Sequence, residues 1–326
     1  MRDGLAPTDK ATFAQVVEDF FELHGPSLKP STLTFYHSMK KLLLEYFGRR
    51  DFASIRAIEI DKFLLSLREV KKDNGEPLSP KTIKHVYTFL KVLFSFAEKY
   101  DIIVQNPMRK VTAPAVPAKK VDFLNEEQAK NFLSELKAAP LRWRTIMTTL
   151  LLLGLRRGEC AGIQWQDIDF DNNIMHIERN VIYTSASGLV VTTPKTANSA
   201  RSVPIPPSLA ALLKEWQRQQ ATPNGDMLIP SAYAFAVPER PFDPPMPDTF
   251  TKWLSRFTKE RNLPNVSPHD LRHSCASLLL MSGASVKDTQ DFMGHADAGT
   301  TLKYYVATTD ERLAKAANAL ADALNF

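Results

Sequence analysis

Cysteine is almost absent: Cys160 and Cys275 are the only two in 326 residues. Two thiols exclude a disulfide framework and argue against a cysteine-based zinc site or thiol redox chemistry. Long apolar runs are also missing. The longest, around Leu150 to Leu155, is far short of the roughly 20 residues a membrane helix needs, and the N-terminus has no signal-like apolar region. The expectation is a soluble, cytoplasmic chain that meets no membrane. No internal repeat is visible. Hydrophobic residues at 44% and charged residues at 24% match ordinary globular usage, which leaves neither disorder nor fibrous structure as a good description.

Charge is present but uneven. Residues 1–120 hold 20 Lys and Arg against 14 Asp and Glu, while the remainder holds 21 against 22, so the whole +5 excess sits in the first third. A basic third of this kind suits a polyanion such as nucleic acid, and equally suits a solvated lysine surface.

The chain is long enough for two domains. From Thr12 to Tyr100 apolar residues recur at helical spacing: Phe13, Val16, Val17, Phe20 and Phe21, then Tyr36, Met39, Leu43 and Phe47. A third helix is marked by Ser79 as cap and Pro80 in its first turn, followed by Ile83, Val86, Tyr87, Leu90, Leu93, Phe94 and Ala97, and ends near Tyr100. The polar side of these helices carries Lys40, Lys41, Lys81, Lys84 and Lys91, candidate phosphate contacts. Residues 106–120, NPMRKVTAPAVPAKK, hold three prolines, four basic residues and no apolar period, the composition of a linker. The predicted division is a helical domain over 1–105, a basic linker over 106–120 and a second domain over 121–326.

That second domain begins with an Asn125 cap, a helix to Leu136 and a long apolar helix from about Arg142 to Leu155. Strand signals follow at 174–177, 181–184, 189–193 and 201–205, and the six prolines of 230–247 predict a surface loop. The fold class is mainly α with a small antiparallel sheet (α+β). Asp310 to Phe326 reads as an amphipathic helix with Leu313, Ala317, Leu320 and Leu324 on one face, able to close its own fold or dock on a neighbouring protomer.

Reactive residue types cluster in the second domain: Arg156 in GLRRGECAGIQWQDID, Lys195 in TPKTANSARSVPI, His269 and Arg272 in PHDLRHSCAS, His295 and a Tyr304-Tyr305 pair in MGHADAGTTLKYY. Taken singly each is bland. Together they resemble the tyrosine recombinases, the phage-integrase family of site-specific DNA recombinases, with an Xer-like two-domain layout. The resemblance covers nearly the whole chain, although its helical first part carries no motif of comparable strength. It implies that residues 1–105 are a helical, SAM-like core-binding domain on DNA and that 121–326 are the catalytic domain.

The implied chemistry breaks a DNA phosphodiester without metal, ATP or other cofactor. It then needs a nucleophile, donors for a phosphorane carrying extra negative charge, and an acid for the departing sugar oxygen. Arg156 and Arg272 supply forked donors that lysine cannot match. By resemblance Lys195 is the general acid, His269 assists proton transfer at the nucleophile, His295 hydrogen-bonds the scissile phosphate, and Glu159 holds the arginine region. Tyr305 is the expected nucleophile, because Thr300-Thr301-Leu302 fits the family's Thr-Thr-Leu-x-x-Tyr form. Tyr304 is the alternative, since both spacings from His295 occur in the family. The partners implied are double-stranded DNA, further copies of the chain in a synaptic tetramer on DNA, and a possible accessory directionality factor. With so few residues before Thr12, the expectation is a chain without a separate arm-binding domain. Two rivals stand beside this reading. One is a metal-dependent phosphohydrolase using the His269-Asp270 pair and His273. The other is a DNA-binding protein that kept the fold and lost catalysis.

Overall fold

The computed structural model describes residues 11–71, 75–117, 123–184, 187–192, 200–221 and 229–294. They divide into two compact units, one within residues 1–119 and 184–186 and the other within 120–183 and 187–326.

The first unit is helical: α1 (Phe13–Leu23), α2 (Pro30–Phe47), α3 (Ala57–Ser66) and α4 (Pro80–Lys99). Local chemistry sets the helix starts. Thr12 and Gln15 cap α1 reciprocally, the Gln15 amide donating to Thr12 Oγ1 at 3.3 Å and the Thr12 amide to Gln15 Oε1 at 2.7 Å. Ser79 accepts from the Thr82 amide at 3.1 Å, with Pro80 as the first residue of α4. The core these helices enclose is rich in rings, with Phe13, Phe20, Phe47, Phe52, Phe89 and Phe94 almost wholly buried. Tyr36 stacks on Phe89 at 4.6 Å between centroids. Helix α3 is an addition to the three helices marked in the sequence. It starts after Arg56, which lacks the short oxygen-bearing side chain of a usual cap, and its Ile58 and Leu65 are exposed, so its apolar stripe is blurred. Part of the proline-rich stretch belongs to this core: Asn106 caps a short 3₁₀ turn (Pro107–Arg109), and Met108 and Val111 are buried against the helices.

The second unit is mixed, as expected. It runs through α5 (Glu126–Glu135), α6 (Leu141–Leu153) and α7 (Arg157–Gly162), then strands β1 (Ile168–Asp169), β2 (Ile174–Ile177), β3 (Asn180–Thr184), β4 (Gly188–Thr192) and β5 (Arg201–Pro204). Helices α8 (Pro207–Gln220), α9 (Pro247–Glu260), α10 (Pro268–Met281) and α11 (Val286–Met293) follow. Strands β1, β2 and β5 form an antiparallel sheet in which Met175 faces Val203 and Ile177 faces Arg201, while β3 pairs with β4. Met175, Ile177 and Val203 bury one face of that sheet in the core built on α6, α8 and α9.

The proline-rich segment before α9 departs from the surface loop predicted for it. Ala232, Tyr233, Ala234, Phe235 and Ala236 are buried, and their backbone is bound by deep side chains. Trp216 Nε1 donates to the Ala234 carbonyl at 2.6 Å, and Gln220 Nε2 donates to the Ala236 carbonyl at 3.0 Å. Arg142 donates twice to the Phe235 carbonyl, at 3.0 and 2.8 Å. Buried backbone outside a helix or sheet is tolerated only with such partners. No helix among the described residues is long and apolar enough to cross a membrane.

Candidate active site

The site is built where two helices end and two begin. Helix α6 stops at Gly154, whose φ of +57° turns the chain sharply. A Cβ there would lie 2.7 Å from Met293 Sδ and 3.1 Å from Cys275 Sγ, so both the turn and the packing require glycine. Two residues on, Arg156 stands just before α7, and Glu159 in the first turn of α7 reaches back to it. The Glu159 carboxylate accepts from the Arg156 amide at 2.9 Å and from Arg156 Nη1 at 2.5 Å.

Helix α10 begins at Pro268 after a reciprocal Ser267–Asp270 cap, in which the Ser267 amide donates to Asp270 Oδ2 at 2.8 Å and the Asp270 amide to Ser267 Oγ at 3.3 Å. That cap fixes the first turns, which carry His269, Arg272 and His273. Arg272 is 2% exposed and is the largest of the fully buried side chains. Its two Nη groups donate to the Gly154 and Met293 carbonyls, each at 2.5 Å.

Those oxygens share an origin. The last carbonyls of a helix have no intrahelical partner and carry the negative end of its dipole, so they attract cations. Helix α11 ends at Gly294 (φ +62°), and three arginines from three different elements take its terminal carbonyls. Arg272 takes Met293, Arg156 Nη2 takes Gly294 at 3.2 Å, and Arg201 Nε takes Phe292 at 3.0 Å. Arg201 Nη2 also donates to Glu159 Oε2 at 3.2 Å. One carboxylate therefore sits among three guanidiniums.

Burial alone would push the Glu159 carboxyl up, but Arg201, Arg156 and Arg272 outweigh it and hold it below the ordinary carboxylate value. Burial, then the nearby Arg156 charge, presses Arg272 down to about 9, which still leaves it charged at neutral pH. His269 is lowered by burial and then by Arg272, so its imidazole is held neutral, with a lone pair free for a proton. Burial and then His269 lower His273 further, to about 4. The result is a concentration of fixed positive charge beside a neutral histidine, suited to an anion whose negative charge grows during reaction. Arg156, with 38% of its side chain exposed against 7% for Arg201, is the member of the cluster most open to solvent.

Of the residues singled out in the sequence, Arg156, Glu159, Arg272 and His269 come together. Lys195, His295, Tyr304, Tyr305 and the helix expected over 310–326 lie outside the described residues. His269 and His273, the pair weighed as metal ligands, pack ring against ring at 4.1 Å, and no group of three or more metal-ligating side chains forms among the described residues. In the first unit Lys81, Lys84 and Lys91 are exposed along α4 and Lys41 along α2. Lys40 is instead held 2.6 Å from Glu18, its ammonium over the Phe21 ring. Sequence reading missed Arg201 as part of the cluster. The available signal was strand alternation, which puts Arg201 on the same face as the buried Val203, and an arginine on a core face needs partners.

Comparison with known proteins agrees with this geometry. The model of the phage integrase family matches residues 122–312. The ICEBs1 integrase of Bacillus subtilis is 31% identical over 268 residues, which span 82% of this chain and 71% of that one. A XerC-like tyrosine recombinase of Caldanaerobacter subterraneus is 28% identical over 93% of this chain and 80% of its own. Among solved structures, the Tn1549 transposon integrase in complex with transposon right end DNA superposes with a TM-score of 0.76 at 22% identity, over 97% of this chain and 100% of that one. A lambda integrase tetramer bound to a Holliday junction gives 0.66 at 18%, over 91% and 78%. With more than half its length matched to that family, and a relative 31% identical over 82% of it, the chain belongs to the phage integrase family of tyrosine recombinases.

Proposed function

We propose that this tyrosine-type site-specific recombinase cuts and rejoins duplex DNA through a covalent 3′-phosphotyrosyl intermediate and a Holliday junction, with no metal or ATP. The observation that carries the reading is the convergence of Arg156 and Arg272 on the turn at Gly294, immediately before His295 in the chain. Two guanidiniums at one point match the two non-bridging oxygens of a phosphodiester.

In this reading Tyr305 Oη gives up its proton with the help of neutral His269 and attacks phosphorus, and the bond from phosphorus to the 5′ oxygen breaks. Lys195 gives its proton to that oxygen, which leaves as a hydroxyl. Arg156, Arg272 and His295 hold the non-bridging oxygens, whose charge grows in the transition state. The ester energy stays in the phosphotyrosyl bond, so a 5′-hydroxyl from a partner strand reverses the step. The helical unit, residues 1–105, is the core-binding domain, followed by the 106–120 linker, whose first residues pack on that unit, and the catalytic domain, 121–326. Lys41, Lys81, Lys84 and Lys91 offer exposed charge to DNA phosphates, whereas Lys40 is engaged with Glu18. The reading includes assembly into a synaptic tetramer on double-stranded DNA in the cytoplasm, with an accessory directionality factor as a further partner. The DNA complexes and the Holliday-junction tetramer of structurally similar integrases support the DNA binding and the assembly.

The test is incubation with fragmented source DNA in EDTA, followed by denaturing capture of protein joined to DNA and sequencing of the trapped ends. The expected result is an adduct on Tyr305 at a defined site, lost in Tyr305→Phe while DNA binding remains. An adduct on Tyr304 would move the nucleophile by one residue. Specific binding with no adduct would overturn the catalytic reading.

A further inference from the structure

Arg201 has no place in the reaction just described, yet it is built into the same cluster. Its side chain is 7% exposed and spends its donors in two directions, Nε on the Phe292 carbonyl and Nη2 on Glu159 Oε2. A Cβ on Gly294 would fall 2.9 Å from its Cδ, so the side chain packs against a turn that has to be glycine. The connections on either side matter. Arg201 opens β5 six residues after Lys195, and the carbonyl it holds lies three residues before His295. The carboxylate it holds is the one that aims Arg156. In β5 its backbone is fixed by pairing with Ile177 of β2, so the guanidinium is delivered from a rigid strand.

We propose that Arg201 is a positioning residue for strand cleavage: it ties the strand that follows the general acid to the turn that precedes His295, and holds Glu159 in the geometry that orients Arg156. This rests on the functional reading above. A lysine could not replace it, because one ammonium on a flexible stem cannot serve a carboxylate and a carbonyl in fixed, divergent directions as a guanidinium does.

The experiment compares wild type, Arg201→Lys and Arg201→Ala on the DNA fragment recovered by covalent capture. Arg201 is buried, so it is not a counterion-releasing contact, and DNA affinity should stay within about threefold in both variants. Adduct formation should slow by about 100-fold in Arg201→Ala, the cost of a small misplacement of catalytic groups, and Arg201→Lys should recover only part of it. A substrate with sulfur at the bridging 5′ position, whose leaving group needs no acid, should recover only the part of the defect that runs through the strand after Lys195 and leave the part that runs through Glu159 and Arg156. Hydrogen exchange at the amides of Gln290 to Gly294 should accelerate in both variants while α6 and α8 keep their protection, a local loosening that general unfolding would not give. If Arg201→Ala does not fold, Arg201→Lys carries each readout. Wild-type cleavage rates in a variant with loosened exchange would overturn the proposal. Full rescue by the sulfur substrate would also overturn it, by placing Arg201 in leaving-group protonation. Failure of wild type itself to form an adduct would instead sink the recombinase reading on which the proposal stands.

Discussion

Glu159 is one negative charge set among Arg156, Arg201 and Arg272, at 2% exposure. Removing it leaves buried guanidiniums with no counter-charge, a situation that costs more than the pair itself contributes. Glu159→Gln is expected to lower the unfolding free energy by about 3–5 kcal/mol, measured by urea denaturation. Cleavage should fall as well, since Arg156 loses its anchor. The histidines of α10 give a second prediction at this scale. His273 titrates at about 4 in the fold against an ordinary 6.5. Between those values the unfolded chain binds the proton first, so stability is fully present above pH 6.5 and is lost as pH falls towards 4. His269 is lowered in the same direction. Chemical denaturation at stepped pH should show that loss, with a shallower slope in His273→Gln. The acid limb of the cleavage rate should lie below 6.5, because His269 keeps its neutral form past that point.

At the scale of elements, the segment before α9 offers the sharpest test. Gln220 of α8 accepts from Trp165 Nε1 at 2.7 Å and donates to the carbonyls of Tyr233 and Ala236. Gln220→Leu fits the space but orphans two buried polar groups, Trp165 Nε1 and the Ala236 carbonyl, while the Tyr233 carbonyl keeps the Ala236 amide, and should cost about 1–3 kcal/mol. It should also make the buried stretch 232–236 more susceptible to limited proteolysis than it is in wild type. This segment shows where sequence reading reaches its limit. Helix starts at Ser79 and Asn125 were legible because a cap is made by residues three apart. The burial of Phe235 depends on Trp216, Gln220 and Arg142, which are distant in sequence, and its prolines look like any exposed loop. The same division holds in the site. Arg156, Arg272 and His269 could be found from the motifs around them, whereas Arg201 takes its meaning from contacts 42 and 91 residues away.

For the whole molecule the relevant property is charge, concentrated in the first 120 residues. Replacing phosphate counterions with lysine and arginine makes DNA affinity fall steeply with salt. If Lys81, Lys84 and Lys91 each touch a phosphate, the triple alanine variant should flatten the log-affinity against log-salt slope by roughly 2–3, with similar losses on specific and unrelated DNA. Equal slopes would remove those lysines from the interface. The three arginines of the site, Arg156, Arg201 and Arg272, grip main-chain oxygens at the end of α11, those of Phe292, Met293 and Gly294. Such a grip does not read side-chain identity. Over evolutionary time the helix that presents these oxygens is therefore free to change its exposed letters, whereas a change in the angle of its final turn would be felt by every arginine at once.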